Sequence, residues 1–336
     1  MAIYTLINKN QLQSLLAYYN LGELIEFFPI KSGTTNSNYE IIVNLNNQEI
    51  KYVVTIIEQN LTRASLLFCL EFAHSLRANH MPVANSVRDR HAMSYGLFVN
   101  KPFIITPFLD GESLSYEQNP PQSDHCSYMG LAIANMHIIG HQFKYRRSNP
   151  ADINWCLKTF DNLADLIPAD MKSLIMDEIQ YLRVNQSLLE NVDLVTGAIH
   201  ADLFMDNVLF ANHKLIGIID FYYSCTDYLL YDLAIVVNDW AISPEGIFNR
   251  PNYISLITNY MSSLKKDALV YDNIVDNLTQ RPIIWQFFLR QASLRFLLLR
   301  LSAQYIPIDS TLKTVKDPIE YQHKILFHRE NDLSLI

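Results

Sequence analysis

The sequence predicts an α+β chain of two lobes, a small β-rich one over residues 1–109 and a larger helical one over residues 110–336. Three observations point there. Runs of β-branched and aromatic residues dominate before residue 110, helix-period apolar patterns dominate after it, and the turn dipeptide Asp110-Gly111 marks the change. With 336 residues, 49% of them hydrophobic and 18% charged, the chain can bury a large core. That excludes disordered, fibrous and small disulfide-stapled classes.

The elements follow in order. A short helix is expected over about residues 9–20, before the first strands. Ser37–Val43 and Ile50–Ile57 read as strands joined at Asn46-Asn47, because Asn tolerates positive φ. Thr62 is suited to cap a helix that ends before Pro82, and Phe103–Leu109 reads as another strand. In the second lobe Ser123 is expected to cap a helix running to about Ile139, with Leu131, Ala134, Met136 and Ile138 inward. Helices are predicted over about 153–166 and 169–190, with a β-rich stretch from Val195 to Phe221. They return over Leu229–Ile242, about 252–279, and from Pro282, suited to a first helical position, to about Gln304. The most apolar stretch, Phe287–Leu301, is interrupted by Arg290, Arg295 and Arg300, so it reads as a buried helix and not a membrane span.

Charge and cysteine usage narrow the partners. The 26 basic residues against 34 acidic ones give a net charge of −8, a poor match to nucleic acid, whose affinity comes mainly from Lys and Arg on phosphates. Cys69, Cys126, Cys156 and Cys225 form no CxxC pair, so neither a zinc knuckle nor a disulfide framework is expected. Reduced thiols and an N-terminus without a basic region suit a cytoplasmic protein with no secretory signal. Nothing in the sequence sets the oligomeric state. Glycine is scarce, 9 in 336 against a typical share of about 7%, so any phosphate-binding loop must work with few of them.

The chemistry is concentrated between residues 197 and 232. His200-Ala201-Asp202-Leu203-Phe204-Met205-Asp206-Asn207 is a polar loop between apolar flanks, and Ile218-Ile219-Asp220-Phe221 delivers a carboxylate at the end of a nearby strand. Asp202 and Asn207 can face one cleft, with Asp220 arriving from an adjacent hairpin strand. One carboxylate can then take a proton from a hydroxyl. The other, with the carboxamide, supplies hard oxygen ligands to a Mg2+ ion that bridges nucleotide phosphates. A lone His-x-Asp is more often a loop with capping side chains; the full set at this spacing behind a β-rich lobe is not.

This arrangement resembles the aminoglycoside phosphotransferase and choline kinase superfamily, small-molecule kinases with a protein-kinase-like fold. The resemblance implies that Asp202 accepts the substrate proton, that Asn207 and Asp220 hold the metal, that His200 orients the loop, and that Asp232 of Tyr231-Asp232-Leu233-Ala234 braces it. Further segments are similar to the kinase-fold homoserine kinase family: Ser32-Gly33-Thr34-Thr35-Asn36-Ser37-Asn38-Tyr39, Ile219-Asp220-Phe221-Tyr222 with Cys225-Thr226-Asp227, Leu294-Arg295-Phe296-Leu297, and Lys316-Asp317-Pro318-Ile319-Glu320-Tyr321. That family makes O-phosphohomoserine from L-homoserine and ATP, on the route to threonine.

One departure bears on mechanism. Kinase folds carry a lysine on the third strand that grips the α- and β-phosphates, and here the matching stretch Val53-Val54-Thr55-Ile56 has Thr55. The homoserine kinase resemblance implies Thr there as well. Lys51 lies on the same strand face but about 13 Å away, a poor substitute, and Glu71 is the candidate for the orphaned acidic partner. Phosphate contacts then fall to backbone N–H groups around Ser32, Gly33, Thr34, Asn36 and Ser37, with a hydroxyl from Thr55. Adenine is expected against main-chain groups near Pro107, Phe108 and Leu109.

Homoserine brings an ammonium and a carboxylate. Arg295, buried by context, needs a partner. That partner is either a structural carboxylate such as Asp227 or Asp239, or the substrate carboxylate, with Asp227 or Asp239 then holding the ammonium. Two other classes stay open on sequence: a phosphotransferase for another amino alcohol or an aminoglycoside, and a non-catalytic nucleotide-binding module. Retention of Asp202, Asn207 and Asp220 together argues against the second.

Overall fold

A computed structural model of the chain describes residues 4–30, 35–306 and 316–333; the expected phosphate-loop residues Ser32, Gly33 and Thr34 lie outside these. Helix α1 (Lys9–Leu16) is opened by a reciprocal cap, in which the Gln11 N–H donates to Asn8 Oδ1 at 2.9 Å and the Asn8 N–H donates to Gln11 Oε1 at 3.0 Å. Strands β1 (Glu23–Pro29), β2 (Ser37–Leu45) and β3 (Gln48–Ile56) follow, then helix α2 (Arg63–Ala78), then β4 (Gly96–Phe98) and β5 (Lys101–Pro107). The five strands form one antiparallel sheet in the order β1-β2-β3-β5-β4. Asn46 and Asn47 take φ of 55° and 62°, the left-handed pair that matches hairpin twist. Thr62 caps α2, its Oγ1 accepting the Ser65 N–H at 3.1 Å. Strands β1 and β4 were not expected: β1 is an edge strand with little alternation, and β4 has three residues.

Period-2 alternation gives the sheet two faces. Tyr39, Ile41, Val43, Val54, Ile56 and Ile105 bury against Leu12 and Leu16 of α1 in a small core of their own. The opposite face carries Asn38, Glu40, Lys51 and Thr55 beside Ile104, which packs with Leu66, Leu70 and Tyr222. That second face looks onto the helical lobe.

The helical lobe begins with β6 (Glu112–Ser113), α3 (Ser123–His141), α4 (Ile153–Leu163) and α5 (Ala169–Glu190). Then come β7 (Thr196–Ile199), β8 (Val208–Ala211), β9 (Lys214–Ile218), β10 (Cys225–Tyr228) and α6 (Leu229–Trp240). Helices α7 (Arg250–Leu264), α8 (Ala268–Thr279), α9 (Pro282–Tyr305) and α10 (Ile319–Glu330) complete it. Two small sheets, β10-β7 and β6-β8-β9, are embedded among the helices. Helix α9 is the spine, packed on α4, α5, α6, α8 and α10, and among the described residues no helix is long and apolar enough to cross a membrane. All four cysteines are unpaired and buried.

Three expectations need correction. Ser123 is the first helical residue of α3 and Gln122 sits at the cap; the inward stripe runs through Cys126, Met129, Ile133 and Met136, while Leu131 is 37% exposed. The single helix expected over 252–279 is two, because the Asp267 carboxylate caps a new helix by accepting the Val270 N–H at 3.3 Å. Helix α10 was missed because half of its buried stripe is polar: Lys324 and His328 lie beside Tyr321 and Ile325.

His328 makes the fold sensitive to acid. Asn238 donates through Nδ2 to Leu289 O and Ser293 Oγ, so its Oδ1 accepts from His328 Nε2–H at 2.6 Å and the ring is neutral. Burial, then the charges of Arg290 and Lys324, hold its pKa down to about 3. An unfolded His titrates near 6.5. Between those values the unfolded state binds more protons, so stability falls as pH drops below about 6.5. In urea unfolding the wild type is expected to lose about 2 kcal/mol more than His328→Gln between pH 7 and pH 5, at about 1.4 kcal/mol per pH unit. Equal losses in both proteins would assign acid sensitivity elsewhere.

Candidate active site

Strand β7 aims the polar loop. Gly140 on α3 and Gly197 on β7 let helix and strand touch: a Cβ on Gly140 would lie 2.0 Å from Ala198 O, and one on Gly197 2.7 Å from His141 N. β7 then ends at Ile199, paired with Cys225 of β10, and the chain turns sharply at Ala201, whose φ is 63°. The turn presents Asp202. A 3-10 turn over Met205–Asn207 leads into β8, and the β8–β9 hairpin returns through Asn212 and His213, both at positive φ. Val208 pairs with Ile218, and the Ile219 N–H donates to Asn207 O at 3.0 Å. Hairpin register therefore sets Asp220 beside Asn207, and Asp220 itself is left-handed with φ of 66°.

Helix α6 braces this loop from below. The Asp232 carboxylate accepts the backbone N–H groups of His200 at 3.1 Å and Ala201 at 2.8 Å, and lies 3.3 Å from His137 Nε2, whose other nitrogen meets the Tyr260 hydroxyl at 2.8 Å. Two turns along, Asp239 Oδ2 accepts the Met205 N–H at 2.8 Å, and Trp240 Nε1 donates to Leu203 O at 3.1 Å. His200 is fully buried, its Nε2 3.0 Å from Ile219 O and its ring 4.6 Å from Phe221. Burial lowers its pKa, so it joins the two loop segments as a neutral ring.

The structure brings Asp202, Asn207 and Asp220 together. Asn207 Nδ2 donates to Asp202 O at 2.7 Å and to Asp202 Oδ2 at 3.3 Å, which leaves its amide oxygen for a cation. Burial pushes the Asp202 carboxyl up to about 6, against the pull of Arg295 and with a push from Asp206. Burial, then the charges of Asp202 and Asp206, push Asp220 up to about 7. Mutually repelling carboxylates of this kind are charged most readily beside a divalent cation. Among the described residues no three His, Cys, Asp or Glu form a protein-only metal cage. Asp220 and Asn207 together offer the one or two hard oxygens typical of Mg2+ sites completed by phosphate, so the donor set fits.

The nucleotide-side residues are placed less simply. The Ser37 hydroxyl donates to Glu58 at 2.6 Å and accepts the Tyr4 and Thr5 N–H groups, and Asn36 Oδ1 accepts the Glu58 N–H at 3.1 Å. Both side chains are committed to the scaffold. The Phe108 N–H is taken by Lys51 O at 3.1 Å, and Leu109 packs over β9, where a Cβ on Gly217 would lie 2.3 Å from Leu109 Cδ1. Lys51 pairs with Glu40 at 2.8 Å, and Glu71 pairs with Arg88 at 3.5 Å. Thr55 is buried, its hydroxyl donating to Asn38 Oδ1 at 2.7 Å.

On the acceptor side, Arg295 is 1% exposed and lies under the loop, its Nη1 donating to Ala201 O at 2.6 Å, with Nε and Nη2 unpartnered. Burial pushes the Asp239 carboxyl up to about 6, against the pull of Lys324 and with a push from Glu320. Asp227 is already engaged through both oxygens, with Asn149 Nδ2 and the Tyr228 N–H each at 2.7 Å. Sequence reasoning missed the Lys316–Asp206 pair at 2.6 Å and the Glu320 carboxylate holding Arg300 and buried Lys324, both at 2.5 Å. The Tyr321, Lys324, Ile325, His328 spacing was the one signal for the latter.

A β-rich lobe over a helical lobe, with a braced Asp-Asn loop and a second Asp at the hairpin end, defines a phosphotransferase of the kinase type. Residues 26–253 match the sequence profile of the phosphotransferase enzyme family, and the chain belongs to it. Within that family it groups with the homoserine kinases. It is 32% identical over 330 residues to the homoserine kinase of Bartonella tribocorum, covering 97% of this chain and 96% of the relative. It is 31% identical over 333 residues to that of Methylobacterium radiotolerans, covering 98% and 97%. Among solved structures, an amicoumacin kinase in complex with AMP-PNP and Ca2+ has a TM-score of 0.64 at 12% identity, covering 98% of this chain and 96% of that one, a likeness of fold. The chain is thus a kinase that phosphorylates an alcohol group on a small molecule.

Proposed function

We propose that the chain transfers the γ-phosphoryl group of ATP to the hydroxyl of L-homoserine, giving O-phospho-L-homoserine on the way to threonine. The observation that carries this reading is the convergence of Asp202, Asn207 and Asp220 in a chain similar over nearly its full length to homoserine kinases. The homoserine oxygen attacks the γ-phosphorus, the bond to the β-bridging oxygen breaks, ADP leaves, and Asp202 takes the hydroxyl proton. Asn207, through its amide nitrogen, holds Asp202 in place. Asp220 and the Asn207 amide oxygen would hold Mg2+, which when bound neutralises charge on the phosphates. Backbone groups around residues 32–37 receive the phosphates, and main-chain groups at Phe108 and Leu109, other than the Phe108 N–H that Lys51 O takes, receive the adenine.

Arg295 is the group for the substrate carboxylate, since two of its nitrogens have no partner. Asp239 suits the ammonium better than Asp227, both of whose oxygens already accept hydrogen bonds. With both ends of the amino acid held, serine would bring its hydroxyl about 1.5 Å short of the reacting position. A misplacement of about 1 Å can cost on the order of 10²-fold. The test is the specificity constant for L-homoserine, D-homoserine, L-serine, choline and kanamycin under identical Mg-ATP. L-homoserine should lead L-serine by about 10²-fold. Choline or kanamycin ahead of L-homoserine would overturn the acceptor while leaving the kinase reaction standing.

A further inference from the structure

The third-strand position at which a kinase carries its phosphate-gripping lysine holds no cation in this chain. Thr55 occupies that position, and the flanking charges are committed elsewhere, Lys51 to Glu40 and Glu71 to Arg88. The Thr55 hydroxyl is committed too. It stands directly across from Asn38 in the β2–β3 register and donates to Asn38 Oδ1 at 2.7 Å. A hydroxyl whose proton is used this way cannot also donate to a phosphate. Its effect is to fix the neighbouring amide: with Oδ1 held by Thr55, the Asn38 Nδ2 is the end turned away from Thr55. Asn38 is half-buried and alternates with Ser37 and Tyr39, whose side chains go into the scaffold, so its own side chain stands on the cleft face.

The pair is backed from the helical lobe. Tyr222, two residues after Asp220, is buried with Leu66, Leu70 and Ile104, the residue paired with Thr55 on β5. Tyr222 thus packs the segment after Asp220 against the strand beside Thr55, and Thr55 and Asn38 form a polar pair on the cleft face. That pair stands where the third-strand lysine of a kinase would otherwise be.

We propose that the Asn38 carboxamide is the phosphate donor that takes the place of the third-strand lysine, with Thr55 as its positioning residue. The inference rests on the reading of this cleft as the ATP site. A neutral amide donating to an ionised phosphate makes a charge-assisted bond. Loss of such a bond corresponds to about 10- to 100-fold in affinity.

The experiment compares Asn38→Asp, Asn38→Ala and Thr55→Val with wild type, using steady-state kinetics and competition binding of ADP and adenosine. Asn38→Asp removes both donors and adds repulsion at nearly constant shape; it should raise the KM for ATP and the Kd for ADP by about 100-fold or more. Asn38→Ala should raise both about 10-fold or more, and Thr55→Val, which frees the amide to rotate, by a smaller factor. The KM for the alcohol acceptor and the Kd for adenosine should stay within about twofold, which a general loosening of the fold would not allow. ADP binding within twofold of wild type in Asn38→Asp would overturn the proposal, as would equal changes for ADP and adenosine. Wild type that binds no ADP would instead remove the reading of the cleft.

Discussion

Replacing Asp202 by Asn is expected to lower kcat by about 10²–10⁴-fold, the usual size of general-base loss, with the KM for ATP within about twofold. The substitution keeps the shape of the side chain and removes only its capacity to take a proton. Burial holds the Asp202 carboxyl up to about 6, so it is still ionised at neutral pH yet a stronger base than an ordinary carboxylate. ATP is held by other groups, hence the split between the two constants. The same substitution is expected to leave the thermal midpoint unchanged or higher. A folded-state pKa above the unfolded value means that the charged form is disfavoured by the fold, and a neutral isostere relieves that cost. Near-normal turnover in Asp202→Asn would place the base elsewhere.

Asp220→Ala should nearly abolish activity. On the proposed reading Asp220 is one of two hard oxygen donors for Mg2+, and charge neutralisation at a transferring phosphoryl group contributes several kcal/mol, about 10³-fold or more in rate. Alanine also removes a residue tolerant of the left-handed backbone at this position, where φ is 66°. Asp220→Asn is therefore the companion, since Asn tolerates that conformation. Both variants should require far more Mg2+ for any residual rate, read from a magnesium titration at fixed ATP. Wild-type activity in excess EDTA would sink the metal assignment for Asp220 and Asn207 together.

Much of the candidate site's layout was legible because it is local. Asp202 and Asn207 share one loop, and Asp220 follows across a hairpin, so spacing alone carries the three toward one another. The Asn46-Asn47 turn, the Thr62 cap and the Pro282 helix start were legible for the same reason, since turn and cap chemistry act within a few residues. Other parts were not. Strand β1 exists only by pairing with β2, and α10 is held by charges that find partners across the lobe.

The chain's own order of residues determined the two-lobe α+β plan and the Asp202, Asn207 and Asp220 set, because alternation, helical period and loop spacing are properties of neighbours in sequence. Only the tertiary structure decided what those residues rest on. Asp232 and Asp239, two turns apart on α6, both became backbone acceptors for a loop about thirty residues upstream. Thr55, read as a hydroxyl for phosphate, donates instead to Asn38 across the strand pair. Arg295 rests on Ala201 O, and Lys324 is buried against Glu320. The reason is physical: a polar group's partner is chosen by burial, which raises the cost of leaving any donor or charge unpaired, and burial is set by elements far apart in sequence.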